Sequence, residues 1–293
     1  MKMNKTNLNN HKSNLYSQSG EDGIIEKLLD IQIFESNFQF VEFGAHDGVT
    51  NSNCFNLLKN KNYKGLFIEP DNKRFQELLN NTVNYNSINL KSFVTPSGET
   101  SLDNILTNHK FDKNFDLLSI DIDGFDYQIF EGLRMFKPKI VIIEYNPTIP
   151  NDVNYIQPYN TKSRHGSSPK SLIELGVSKG YSPVALTDTN IFLLDSNIFN
   201  NSNLNILELN EERDDTDTKI NVFYGYNGDI IFSQRYVNLR WHFLKYDLSK
   251  VQLVPKFLRI LLEDYSKLRK IVYNIYSKYL KLKLRITNHF FKL

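Results

Sequence analysis

Short apolar runs rich in β-branched and aromatic residues recur along the first two-thirds of this chain, and between them the apolar spacing becomes helical. The runs are 38–43 (FQFVEF), 64–69 (KGLFIE), 89–94 (NLKSFV), 115–121 (FDLLSID), 139–145 (KIVIIEY), 181–187 (YSPVALT) and 190–194 (NIFLL). Helical spacing fits 21–34, 53–61, 71–81, 101–108, 126–135 and 169–179. Ser168, Pro169 and Gly180 punctuate the last of these as cap, first-turn proline and stop. Strands that are apolar on both faces and separated by helices predict a parallel sheet covered on both sides, a doubly wound α/β fold. The final two strands are joined too tightly for a crossover helix and must run antiparallel.

In such a sheet, ligands bind outside the carboxyl ends of the strands. The first strand runs there into "FVEFGAHDGVTNSN" (40–53). Its Gly44-x-x-x-Gly48 spacing is neither the G-x-G-x-x-G dinucleotide fingerprint nor a P-loop, which would require Gly-Lys-Ser/Thr. Glu42, His46 and Asp47 instead make a polar, partly acidic surround, suited to a ligand that carries positive charge and hydroxyls. Glu69 closes the second strand at about the offset where an acid meets ribose hydroxyls in nucleotide-binding α/β folds. An ammonium, a sulfonium and a ribose on one ligand describe S-adenosylmethionine.

In these segments the chain resembles the FkbM-like S-adenosylmethionine-dependent methyltransferases. The resemblance rests on "YSQSGEDGIIEKLL" (16–29), "FVEFGAHDGVTNSN" (40–53), "GLFIEPD" (65–71), "FDLLSIDIDGFDY" (115–127), "IVIIEYNP" (140–147) and "SLIELGVSKGYSPVAL" with "NIFLL" (171–194). It implies a Rossmann-like class I methyltransferase sheet of seven strands, the last antiparallel, and methyl transfer, commonly to a hydroxyl of a sugar or natural product. It also implies that Glu42, Gly44, Ala45, His46 and Gly48 form the turn around the methionine part and that Glu69 takes the ribose. The third strand's end at Ser97 would face the adenine. Two departures stand out: His46 where many members carry Asn, and Phe125 after the "IDIDG" glycine where a polar residue is frequent.

Methyl transfer is an in-line displacement that needs an acceptor oxygen beside the methyl carbon and a group to take its proton. Asp121, Asp123, Asp126, Glu144 and Asn146 end strands four and five. Asp121 and Asp123 lie two apart, so an extended strand would aim both at one side, with Gly124 allowing a sharp turn. Two such carboxylates repel unless protonated or bridged by a cation. Asp121 is expected on both cofactor and catalytic sides, and Asp121 with Asp123 offers a Mg²⁺ site. The polar segment 147–168, with three prolines, is long for a connector and suits a lid or acceptor loop. It supplies Lys162, Arg164 and His165; the base is expected among Glu144, His165 and the aspartates.

A chain of 293 residues, 40% hydrophobic, holds one large domain with an extension or two smaller ones. A lone cysteine, Cys54, excludes an intramolecular disulfide framework and suits a reducing compartment. With no apolar leader and no run of ~18 apolar residues, the expected place is the cytoplasm. The expected partition is a flexible 1–14, an S-adenosylmethionine-binding domain at 15–197, an accessory segment with a hairpin at 198–254, and a basic amphipathic helix at 255–293. In that tail Leu258, Leu261, Leu262, Tyr265, Leu268, Val272, Tyr276, Tyr279 and Ile286 trace one face, with Lys267, Lys270, Lys278, Lys281 and Arg285 largely opposite. Such a helix can contact the inner face of an anionic membrane or pack on protein. The first 250 residues are net acidic, which opposes nucleic acid as a partner and leaves a small-molecule or glycan acceptor. "EYNPT" (144–148) only partly matches the Asn-Pro-Pro-aromatic pattern of amino-methylating DNA methyltransferases. Two other readings stay open: a nicotinamide-dependent Rossmann enzyme, which lacks its glycine fingerprint, and a non-catalytic membrane-attached assembly protein with a degenerate pocket.

Overall fold

A computed structural model describes residues 5–31, 38–61, 63–159, 162 and 164–290. The chain divides into two compact units, Met1–Thr218 and Lys219–Leu293.

The first unit is built on seven strands, β1 (Gln39–Phe43), β2 (Lys64–Ile68), β3 (Ser87–Leu90), β4 (Leu117–Ile120), β5 (Ile140–Glu144), β6 (Tyr181–Leu186) and β7 (Asn190–Asp195). They lie in the order β3-β2-β1-β4-β5-β7-β6. The first five are parallel, and β7 runs antiparallel to both β5 and β6. This is the doubly wound α/β sheet that the strand pattern leads one to expect, with the seven strands and antiparallel last strand that the resemblance implies. Sequence order reverses at β1 and β4, which places the ligand crevice at their carboxyl ends.

Alternation along the strands divides the core in two. Phe38, Phe40, Phe67 and Leu117 pack on one face with α1 (Glu21–Asp30), α2 (Phe55–Lys61) and α3 (Asn72–Thr82). Val41, Phe43, Leu118 and Ile120 pack on the other with α4 (Leu102–Asn108), α5 (Asp126–Gly132) and α6 (Pro169–Ser178). Each fully buried Phe or Leu stabilises this sandwich by about 1.5–3 kcal/mol. Two short helices, α7 (Ser196–Asn200) and α8 (Leu209–Glu212), complete the unit. Ser168 caps α6 by accepting the Ser171 N–H, and Pro169 begins it, as the sequence requires.

Three expectations for this unit are corrected. The third strand ends at Leu90, and 91–101 is a loop in which Thr95 bridges Ser101. The strand's partner β2 ends at Ile68, opposite Leu90, and runs into Pro70, so pairing stops there. Residues 5–14 are not a loose leader: Leu8 is fully buried, and Thr6 bridges Leu204. The segment after 198 is no boundary either, because Arg213 donates to the carbonyls of Pro147 and Ile149 and lies 5.5 Å over the Tyr145 ring.

The second unit holds two hairpins, β8 (Val222–Tyr224) with β9 (Ile230–Phe232) and β10 (Tyr236–Leu239) with β11 (Leu244–Asp247), then α9 (Lys267–Phe290). The first follows the Asn227-Gly228 turn as expected. The second carries no such dipeptide; Phe243 takes the left-handed position at φ 53°. The tail helix starts at Lys267 rather than at 255. Leu258 is buried and its carbonyl accepts from the Tyr265 hydroxyl, so the chain turns back on itself there. The packed face of α9 is also different. Val272, Tyr273, Tyr276 and Leu280 are half-buried, with the Tyr276 hydroxyl on the Leu253 carbonyl, whereas Leu268 and Tyr279 are exposed. The Ile286 side chain lies outside the described residues. No described helix is long and apolar enough to cross a membrane.

Candidate functional site

The glycine turn at the end of β1 is drawn tight by its neighbours. Gly44 and Ala45 both donate to the Ile68 carbonyl, at 3.1 and 3.2 Å. Gly44 has φ +76°, and a Cβ built there would lie 1.5 Å from the Asp121 carbonyl oxygen. Only glycine lets the ends of β1 and β4 approach this closely. His46 follows at φ 52°, and its N–H donates to Glu69 Oε2 at 2.9 Å. Glu69 Oε1 accepts from the Asp71 N–H at 2.8 Å. The expected ribose acid is therefore buried and staples the glycine turn to the start of α3. Gly48, at φ +79°, sits against Leu78 of α3. Ser97 lies exposed in the 91–101 loop, where its carbonyl accepts from the Thr95 hydroxyl.

Glu42 turns away from the glycine turn toward α2. It accepts from Ser52 Oγ at 2.6 Å and from the Asn53 N–H at 2.8 Å. Burial pushes its carboxyl up to about 7, although these hydrogen bonds act against the shift; Asp121 adds repulsion. A carboxyl whose folded pKa is raised from 4.5 binds its proton more tightly folded than unfolded. Its stabilising contribution is complete below about pH 4.5 and is lost as pH rises through about 7. Thermal melts should therefore show the ligand-free protein weakening across that window. Glu42→Gln, which can keep both partners, should flatten the slope; an unchanged slope would count against a buried protonated Glu42.

The acids of β4 and β5 converge, though by a different route from the one expected. β4 stops at Ile120, Asp123 is left-handed at φ 54°, and Gly124 has φ 142°. A turn, rather than strand alternation, brings Asp121 and Asp123 together. Buried Asp126 holds that turn by accepting from the N–H groups of Ile122 and Gly124, at 3.0 and 2.9 Å. Carboxylate oxygens of Asp121, Asp123 and Glu144 all lie within 4.8 Å of one another. Carboxyls as close as those of Asp121 and Glu144 repel when both are charged, so a proton held on one of them is favoured over two charges. Burial drives both carboxyls upward first; the neighbouring acids Asp126 and Asp123, and for Asp121 also Glu21, drive them further.

The 147–168 loop is latched over this turn. Arg164 donates to the carbonyls of Ile122 and Asp123 at 3.1 and 3.4 Å and stacks 5.7 Å over Phe125. Gln157 Oε1 accepts from the N–H groups of His165 and Gly166 at 2.6 and 2.9 Å, and its carbonyl accepts from Gln128 of α5. His165 is exposed, with Nδ1 2.8 Å from the Tyr155 hydroxyl. Asn146 closes the loop's base, accepting from Thr148 and donating to the His165 carbonyl. Phe125 meets Tyr159 edge to face at 5.4 Å, so an aromatic pair stands beside the acids.

Three contributors had no signal of their own in the sequence. Glu21 accepts from Thr187 and Asn190 across the sheet, Asp22 accepts three successive N–H groups from Leu15 to Ser17, and Gln157 organises the loop. The first two lie in the "SGED" segment, whose acids look like ordinary helix-start residues.

Residues 94–175 match the profile of the methyltransferase FkbM domain, a span that holds Asp121, Asp123, Glu144 and His165. Over that span the chain is similar to the FkbM methyltransferase domain. The acid cluster lies inside the matched part. Among solved structures, the chain is similar to the CMeT domain of a citrinin polyketide synthase at 11% identity and TM-score 0.39, covering 60% of this chain and 51% of that one. A putative caffeoyl-CoA O-methyltransferase from Staphylococcus aureus matches at 15% identity and TM-score 0.40, over 64% and 87%. The glycopeptide N-methyltransferase MtfA, solved with S-adenosyl-L-methionine, matches at 11% and 0.34, over 62% and 90%. This chain thus spans about half of the first of these. No curated protein sequence matches it.

Proposed function

We propose that this chain is a methyltransferase that uses S-adenosylmethionine and methylates a hydroxyl of a sugar or glycan-derived acceptor, in the cytoplasm and within polysaccharide biosynthesis. The observation that carries the reading is the cluster of Asp121, Asp123 and Glu144 carboxyls beside the Gly44 turn. Acidic surroundings favour a sulfonium and an ammonium over a phosphate. Two carboxyls holding one proton leave one carboxylate free to act as base. In the step proposed, the acceptor oxygen attacks the methyl carbon, the carbon–sulfur bond breaks with its electron pair going to sulfur, and the hydroxyl proton passes to that carboxylate. Phe125 and Tyr159 offer aromatic faces for a sugar ring, and His165 is the alternative base. Neither a nicotinamide nor a nucleic-acid ligand gains support from an acid-lined turn.

A second reading concerns the same oxygens. Three carboxylates within 4.8 Å fit Mg²⁺, which would orient an acceptor hydroxyl and favour its ionisation. Activity that survives a chelator supports proton sharing; activity lost and restored by Mg²⁺ supports the cation.

Calorimetric titration with S-adenosylhomocysteine tests the cofactor. Binding in the micromolar range, about −8 kcal/mol, is expected. Glu69→Gln should weaken it at least tenfold, because an amide NH₂ would face a backbone N–H at one of the two turns it joins. Failure of the folded wild type to bind would sink the proposal.

A further inference from the structure

The second unit leaves apolar side chains uncovered in a pattern that a soluble helix has no reason to keep. Leu268, Ile271, Ile275, Tyr279 and Leu282 recur at helical spacing on one side of α9, and each is more than half exposed. They are not the face that packs, which is Val272, Tyr273, Tyr276 and Leu280. On a helical projection, Lys267, Lys278 and Arg285 border this stripe on the flank away from the packed face. The tip between β10 and β11 repeats the chemistry: Trp241 and Phe243 are exposed, the latter 96%, between Arg240 and Lys245. Residues 219–293 hold fifteen Lys/Arg against four Asp/Glu, whereas the first unit is net acidic.

We infer that the second unit docks on an anionic lipid bilayer through the α9 stripe, with the bordering cations at the headgroups. The charge selects this occupant. A second copy would bring an equal row of cations onto the same stripe and be repelled, while anionic lipids are complementary to it. Aromatic and aliphatic side chains flanked by lysines and arginines suit the interface between headgroups and acyl chains. The inference stands apart from the methyl-transfer chemistry of the first unit.

The test is co-sedimentation of the full chain with vesicles of phosphatidylcholine plus phosphatidylglycerol, against phosphatidylcholine alone. The wild type is expected on the anionic vesicles only, with binding that falls as salt rises. The Ile271→Asp/Ile275→Asp double variant should lose about tenfold or more of that binding, since it removes apolar area from the stripe. Lys278→Glu/Arg285→Glu should lose binding while keeping the apolar residues. Both pairs are exposed, and circular dichroism confirms folding. A folded wild type that stays in solution, a double variant that binds as before, or a wild-type dimer that Ile275→Asp splits would each overturn the inference. S-adenosylhomocysteine titration of the same preparations reports on the first unit separately.

Discussion

Alanine at Gly44 is expected to abolish S-adenosylhomocysteine binding and to cost on the order of 3 kcal/mol or more of stability. Two independent causes add. Left-handed backbone costs a residue with a Cβ roughly 1–3 kcal/mol, and overpacking costs about as much again. The new methyl would stand 1.5 Å from the Asp121 carbonyl, which is backbone and has no rotamer to escape into. Either the β1 turn or the end of β4 must move. Movement of the turn breaks the hydrogen bonds to Ile68 and draws His46 from Glu69; movement of β4 displaces the acid cluster. Gly98→Ala is the control, since it shares the positive φ, at +89°, but its Cβ would meet nothing within 4 Å. It should pay the strain alone and keep binding. A Gly44→Ala protein that binds as tightly as wild type would show that the close approach of β1 and β4 is unimportant to the site.

The fold was legible because both hydrophobic periods are strong and consistent. Runs such as "IVIIE" are apolar on both faces, which only a covered sheet uses, and Ser168-Pro169 with Gly180 bracket α6 without ambiguity. Strand ends were less legible wherever apolar residues continue past the pairing, as at Phe93 and Val94 beyond β3. The site was readable as a list of acids but not as a geometry. Asp121 and Asp123 looked like strand neighbours, whereas their meeting depends on the left-handed Asp123 and on Asp126 pinning the turn from inside α5. A buried carboxylate accepting two N–H groups has no signature distinct from a solvated one. Nor could spacing show that Glu42 faces α2, because that depends on where Ser52 and Asn53 are delivered by an irregular segment. In the second unit periodicity itself misled. Aliphatic and aromatic residues occur almost all round α9, and the packed stripe is chosen by Tyr265 and Leu253 from elsewhere in the unit.

Glu144→Gln should lower methyl transfer by roughly 10²–10⁴-fold, the usual contribution of a positioned base, while S-adenosylhomocysteine binding stays near wild type. The isostere keeps the volume at the end of β5, and its NH₂ can still donate to Asp121, so the cluster's shape survives. What disappears is the titratable partner of Asp121, through which the acceptor's proton is shared in the proposed step. The replacement also removes one charge from a group of buried acids, so the ligand-free variant should melt at the same temperature as wild type or above it at alkaline pH. Asp121→Asn should cost activity as well, and in addition weaken the cofactor, because Asp121 adjoins the Gly44 turn. The two variants thus separate by a kcat-against-binding split, measured with labelled methyl donor over a panel of nucleotide sugars and glycans. His165→Asn provides the competing outcome. If it costs activity as heavily as expected for Glu144→Gln, while Glu144→Gln keeps full activity and loses the alkaline limb of its pH profile, the base is the loop histidine beside Tyr155 and the Asp121–Glu144 pair serves only to receive the cationic ligand.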